Sequence, residues 1–121
     1  MFCSHRIFVH PRFPWESAAT GHEVIQPCCP NIAKYQQHIS GDISYALRYF
    51  LSLSHDLNWL VLEGCQLATE IAQFWESRVH FNDTSGFYDI NGIMGPDEDH
   101  ENIDNNVYTN VIAGYSLYFG S

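Results

Sequence analysis

Leu67, Ala68, Ile71, Ala72, Trp75 and Val79 recur at the spacing of one face of an α-helix. Glu70, Gln73, Glu76 and Arg78 fall largely off that face, so the segment predicts an amphipathic helix of about four turns. Whatever this chain folds into has to bring a second apolar layer against that helix. Ile43, Ala46, Leu47, Phe50 and Leu53 offer one, predicting a helix from Gly41 to about Ser54 with Ser40 or Gly41 as its cap. Asp56 is placed to cap a short segment, Leu57 to Glu63, and Gly64 to close it in a left-handed conformation. A last helix, about Asn105 to Phe119, rests on Val107, Val111, Tyr115, Leu117 and Tyr118. Between Val79 and Ile90, aromatic and β-branched residues flank Asn82-Asp83-Thr84-Ser85-Gly86, which predicts a projecting hairpin-like excursion. Pro11, Pro14, Pro27 and Pro30 leave the first forty residues mostly loop. The expected class is all-α, with long loops feeding the helix starts and more apolar stripes than three or four helices can cover.

At 121 residues the chain has the size of one domain and can bury a core without disulfides. Fourteen Asp and Glu against five Lys and Arg give a net charge of -9. Such a field repels phosphate backbones and anionic lipid headgroups, which argues against nucleic-acid and membrane partners. The opening residues lack an apolar signal-peptide core and no eighteen-residue apolar run occurs, so the expected compartment is cytoplasmic. Without a secretory signal, the Asn82-Asp83-Thr84 sequon reads as chance. Cys3, Cys28, Cys29 and Cys65 form no Cys-x-x-Cys pair, and adjacent Cys28 and Cys29 would make a strained bridge. The cysteines read as idle thiols, and no metal or other cofactor is expected.

From Gly92 the chain turns through Gly-x-x-Gly-Pro and then packs Asp97, Glu98, Asp99, Glu101 and Asp104 into eight positions. Alternating Asp97, Asp99 and Glu101 suggest a calcium loop, but the EF-hand template then meets Asn102 where it requires Gly and Tyr108 where it requires Glu. A solvated acidic turn before a helix accounts for Asp104 and Asn105 through the helix dipole, yet leaves the rigid Gly95-Pro96 approach unexplained. A catalytic reading explains more. Glycosidases need a carboxylic acid that stays protonated near neutral pH, neighbouring carboxylates favour that state, and Glu98 lies between Asp97 and Asp99.

Gly92-Ile93-Met94-Gly95-Pro96-Asp97-Glu98-Asp99-His100, followed by Asn105-Asn106-Val107-Tyr108-Thr109-Asn110, resembles the Gly-Val-x-Gly-Pro-Asp-Glu-Tyr-His and Asn-Asn-x-Tyr-Thr-Asn signature of family 65 glycoside hydrolases and phosphorylases. Phe13-Pro14-Trp15-Glu16-Ser17-Ala18 with Thr20-Gly21-His22-Glu23 is similar to an earlier block of that family, and Phe74 to Val79 to the Phe-Trp-x-Ser-Arg-Val of its acid-trehalase-like branch. The resemblance runs from Pro11 to the chain's end, 11–121, as part of a central catalytic domain, while 1–10 match nothing. It implies a fragment of an (α/α)6 barrel that acts on α-linked glucosides with inversion, glycosylated collagen-like peptides among the partners.

The same resemblance makes Glu98 the general acid that protonates the leaving glycosidic oxygen. It gives Trp15 the role of stacking on a glucose ring, the alternative being a loop anchor in the core. Glu16 becomes a hydrogen-bond acceptor for sugar hydroxyls, Glu23 a weaker candidate of that kind, and His100 either a substrate contact, an orienter of Glu98 or a loop-lining residue. Trp75, on the helix stripe, reads as core. Asp99 stands where the family usually has Tyr. The family's upstream Trp-Asp segment and its downstream base or phosphate-binding segment have no counterpart here, and Asp42, Asp56 and Asp89 read as capping or solvated residues. The expectation is a partial site, nearly inert alone.

Overall fold

The computed structural model describes residues 12–121; the unmatched segment 1–10, Pro11 and Cys3 lie outside the described residues. Helices α1 (Pro30–Tyr35), α2 (His38–Ser54), α3 (Leu57–Trp59) and α4 (Cys65–Arg78) lead into strands β1 (Val79–Asn82) and β2 (Phe87–Ile90), and α5 (Val107–Gly120) ends the chain. The described part is thus mainly helical, as the periodicity predicts.

Helix α4 organises the rest. Ile71 and Trp75 are fully buried and Phe74 nearly so, and they pack with Ile90, Ile93, Ile112 and Ala113 into one cluster. Phe13, Ile43, Leu47, Leu67, Val79 and Leu117 close around it. The core therefore lies where α4 meets α5 and α2, with the hairpin root and the start of the acidic segment plugged into its side. Trp75 is core, as its place on the stripe requires, and its indole N–H finds no partner among the described residues.

Several local expectations change. The proline-rich start holds a helix, because Pro30 is the first residue of α1, the one helical position where a missing N–H and a fixed φ cost nothing. Helix α2 begins at His38, so Ser40 and Gly41 lie inside it and do not cap it. Ser40 Oγ instead accepts from the Phe13 N–H at 3.0 Å. Gly41 lets α5 approach, since a Cβ there would stand 2.7 Å from the Ile112 side chain.

Asp56 does cap α3, accepting from Trp59 N–H at 2.9 Å. Gly64, however, has φ -64 and stops nothing: Leu60–Gly64 form a π-helical turn that runs straight into α4. The i, i+5 spacing of that turn sets the Trp59 ring against Gly64, where a Cβ would meet it at 2.7 Å. Close approach, not positive φ, explains this glycine.

The hairpin pairs Val79 with Ile90 and Asn82 with Phe87 in antiparallel register. Asn82 Oδ1 accepts from Thr84 and Ser85 N–H at 3.0 and 3.2 Å, and Gly86 takes φ +74 to return the chain. Its root packs, Ile90 being 4% exposed, while Phe81 and Tyr88 stack edge to face on the outside. Projection describes only the tip.

Helix α5 presents the opposite face from the one its valines suggest. Thr109, Ile112, Ala113 and Ser116 are buried, whereas Val107 and Val111 are 78% and 58% exposed. The cap is Asn106, whose side chain accepts from Thr109 N–H at 3.1 Å.

Candidate active site

Backbone donors and amides, not solvent alone, relieve the crowding of carboxylates after Gly92. Ile93 and Ile103 exchange two backbone hydrogen bonds, 2.9 and 2.8 Å, and pinch 94–102 into a loop with a closed neck. At that neck Gly92, at φ +65, donates its N–H to Asp104 Oδ1 at 2.9 Å. Asn105, also left-handed, accepts from Ile90 N–H and donates to Asp89 Oδ1 at 2.9 Å. Asp89 takes a second bond from Asn82, and these two amides hold its carboxyl below the usual range against a small opposing effect of burial. Asp89 is thus an organised part of the hairpin and not merely solvated.

The Gly95-Pro96 approach now has a cause. A Cβ on residue 95 would lie 2.4 Å from the Asn106 amide, so the cap of α5 requires glycine there. Met94, 2% exposed, anchors the descending side: its N–H donates to Tyr35 carbonyl at 3.0 Å and its Sδ accepts from Gln36 Nε2.

Beyond this anchor the loop is exposed. Asp97 accepts from Asp99 N–H at 3.0 Å and pairs with His100 Nδ1 at 2.6 Å, and the Asp99 bond followed by the His100 pair holds the Asp97 carboxyl low. His100 is therefore bound to Asp97 and not to Glu98. The Glu98 side chain is exposed and makes no hydrogen bond among the described residues.

The first block forms a second loop. Val24 N–H bonds Glu16 carbonyl, Ser17 bridges to Glu23, and Gly21 at φ +72 makes the turn between them. Glu23 closes this loop from inside its own backbone, accepting from the N–H groups of Trp15 at 2.7 Å, Glu16 at 3.1 Å and Ile25 at 3.0 Å. Slight burial pushes that carboxyl up, but the backbone donors outweigh it and hold it low. Trp15, 37% exposed, is presented outward and not anchored in the core, and Glu16 is exposed beside it.

Both loops come within electrostatic range of Cys29. Its thiol is raised first by its hydrogen bond with Cys28, then by burial, and the carboxylates of Glu98 and Glu16 act in the same direction, so both lie within electrostatic reach. Beneath them Arg12 donates to the carbonyls of Ala33, Lys34 and Gln36, tying the first block to the end of α1, while Arg78 joins Gln37 to the Asn91 carbonyl. The structure thus leaves Glu16 and Glu98 each within electrostatic range of Cys29, bonds Glu23 to the backbone of Trp15, and pairs His100 with Asp97.

Sequence reasoning misses three groups here. Cys29 stands out only once both loops are folded. Asp42, inside α2 and not at its start, accepts from the Tyr108 hydroxyl at 2.6 Å; that bond, with burial and the carboxylate's charge, pushes the phenol up to about 12. His38 is buried under the Tyr108 ring at 5.4 Å. A tyrosine in the second block of the signature was the only available signal for this pair. A cleft of about 750 Å³ lined by Thr69, Gln73, Glu76, Tyr88, Leu117 and Ser121 holds none of the candidate residues. Among the described residues no group of three or more His, Cys, Asp or Glu could hold a metal, and no helix is long and apolar enough to cross a membrane.

Residues 11–120 match the family model described as the glycosyl hydrolase family 65 central catalytic domain. Curated relatives include the protein-glucosylgalactosylhydroxylysine glucosidases of Dictyostelium discoideum, 45% identical over 82% of this chain and 14% of the relative, and of Gallus gallus, 39% identical over 91% and 16%. Kojibiose phosphorylase of Thermoanaerobacter brockii is 32% identical over 90% of this chain and 15% of its own length. Among solved structures, a chain assigned as a kojibiose phosphorylase from human microbiome superposes with a TM-score of 0.78 at 27% identity, over 89% of this chain and 16% of that one. The chain spans about a sixth of the length of these relatives.

Proposed function

Since the chain belongs to glycosyl hydrolase family 65, we propose that it forms one wall of the active site of an enzyme that cleaves α-linked glucosides with inversion, Glu98 being the general acid. The observation that carries this reading is the division of labour on the acidic loop: Asp97 is spent on His100 and the Asp99 N–H, while the exposed Glu98 carboxyl makes no hydrogen bond among the described residues. A group that must hand its proton to a departing oxygen needs that freedom. A carboxylate from outside these 121 residues, about 6.5–9.5 Å from Glu98, positions the attacking water on the opposite sugar face.

Trp15 offers its indole to the C–H face of a glucose ring, and Glu16 accepts from hydroxyls of the same sugar. Glu23 and His100 serve the site by holding Trp15 and Asp97 in place, beyond any direct bond they make to sugar. The double ring of helices completed by the rest of such a domain is an (α/α)6 barrel. The two glucosidase relatives favour a glucosyl-galactosyl-hydroxylysine substrate on a collagen-like peptide. The phosphorylase relatives support a second reading, in which phosphate replaces water and the product is a glucose phosphate.

The test is glucose release from a glucosyl-α-1,2-galactosyl substrate, with and without phosphate, by the chain joined to the remainder of a family 65 catalytic domain and by the Glu98→Gln variant of that protein. Removing the acid is expected to lower turnover by about 10²–10⁴-fold. Turnover that survives the change removes Glu98 from the role, and turnover that depends on phosphate selects the second reading. Glucoside binding without turnover, lost in Trp15→Ala but kept in Glu98→Gln, reduces the chain to a carbohydrate-binding remnant.

A further inference from the structure

Cys28 and Cys29 are neighbours whose Sγ atoms stand 2.9 Å apart, with Cys28 exposed and Cys29 half-buried. The backbone fixes the pair. Pro27 precedes it and Pro30 follows as the first residue of α1, and the Cys29 N–H closes a tight turn onto the Gln26 carbonyl at 3.0 Å. Side chains held this way need little further ordering to react with one reagent together. The nearby Glu16 and Glu98 carboxylates disfavour the Cys29 thiolate, which leaves the exposed Cys28 as the sulfur that reacts first.

We propose that Cys28 and Cys29 form a reversible dithiol modification site in the wall of the candidate active site, reacting with low-molecular-weight disulfides to give a vicinal disulfide. In the first step the exposed Cys28 thiolate attacks one sulfur of the reagent; a mixed disulfide forms, the reagent's S–S bond breaks, and one thiolate leaves. Cys29 then loses its proton and attacks Cys28 Sγ, forming the Cys28–Cys29 bond and releasing the second thiolate. Two electrons and two protons pass from the protein to the reagent, which leaves as two thiols. Consecutive Cα atoms are about 3.8 Å apart, shorter than the ~4.4–6.8 Å usual for disulfides, so the bridge is strained and readily reduced again. Closing it draws the two sulfurs together and moves the segment that Glu16 and Glu98 flank.

The experiment equilibrates the folded chain in glutathione buffers of increasing oxidised fraction, quenches with acid, and maps the thiols by mass spectrometry. The expected result is a loss of two hydrogens confined to the peptide holding both cysteines, reversed by excess reduced glutathione, while Cys29→Ser accumulates the Cys28–glutathione adduct instead. In the same series the backbone amide signals of Glu16 and Glu98 shift with the oxidised fraction and return on reduction. A stable glutathione adduct on wild-type Cys28, a bridge from either cysteine to Cys3 or Cys65, or no reaction while the urea-unfolded chain reacts, overturns the proposal. So does a vicinal disulfide that leaves the Glu16 and Glu98 amides unmoved. None of these readouts depends on turnover, so the outcome is separate from that of the Glu98 assignment.

Discussion

Glu23 shows how a residue can matter to a sugar site without facing the sugar. Its two oxygens already take three backbone N–H groups, those of Trp15, Glu16 and Ile25, and so define where the Trp15 indole is presented. In a pH titration by NMR those three amides are expected to move together, with a midpoint below the ordinary Glu value. Since the folded pKa is depressed, the clamp's contribution is present above the unfolded value and lost as pH falls through the folded one. Independent midpoints for the three amides would dissolve the clamp. His38 gives a second pH dependence of the same sign by another cause. Burial lowers its pKa, opposed by the Asp42 carboxylate and by the nearby Met94 backbone. Below about 6.5, the ordinary His value, the unfolded chain takes a proton that the folded chain resists, so stability falls as pH drops from there through the folded value. The urea midpoint of wild type is expected to fall over that window and that of His38→Asn to fall less; parallel curves would exclude His38 as the source.

At the scale of elements, the glycines of α2 and α5 make opposite predictions. Gly41 sits where α5 crosses, 2.7 Å from Ile112 at the virtual Cβ, so Gly41→Ala gains about 1 kcal/mol of helix propensity and loses about 1–3 to overpacking, a net loss. Gly114, inside α5, has nothing within 4 Å, so Gly114→Ala keeps the gain of up to about 1 kcal/mol. Urea unfolding of the two variants beside wild type checks the pair, and equal shifts would mean that α2 and α5 do not approach as closely as described. Loss of the α3 cap in Asp56→Ala is expected to cost about 1 kcal/mol in the same assay. Ile71→Ala, at a fully buried site, is expected to cost about 2–5.

For the whole molecule, the uncovered apolar surface dominates. Leu53, Leu57 and Leu62 on one side, and Val107, Val111 and Tyr118 on the other, are each more than half exposed. Exposed apolar side chains in this number favour association, while the net charge of -9 opposes it. The purified chain is therefore expected to self-associate with rising concentration, and more strongly in 0.5 M salt, where the Debye length shrinks to a few ångströms. Sedimentation velocity that finds a monomer at every concentration and salt level would contradict this.

The sequence by itself determined the helical class, the α4 stripe with Trp75 in the core, the Asp56 cap, the hairpin and the family signature, because each is written in local spacing or local chemistry that neighbours in the chain can satisfy. It did not determine which face of α5 turns inward, since Val107 and Val111 are as apolar as Ile112 and only the position of α2 and α4 chooses between them. Nor could it reveal that Gly64 and Gly95 are glycines for want of room, that Glu23 is spent on the backbone of Trp15, or that Cys29 lies within electrostatic range of Glu16 and Glu98. Those are contacts between residues distant in the chain or across a turn of unforeseen type, and such contacts exist only after the chain has closed on itself.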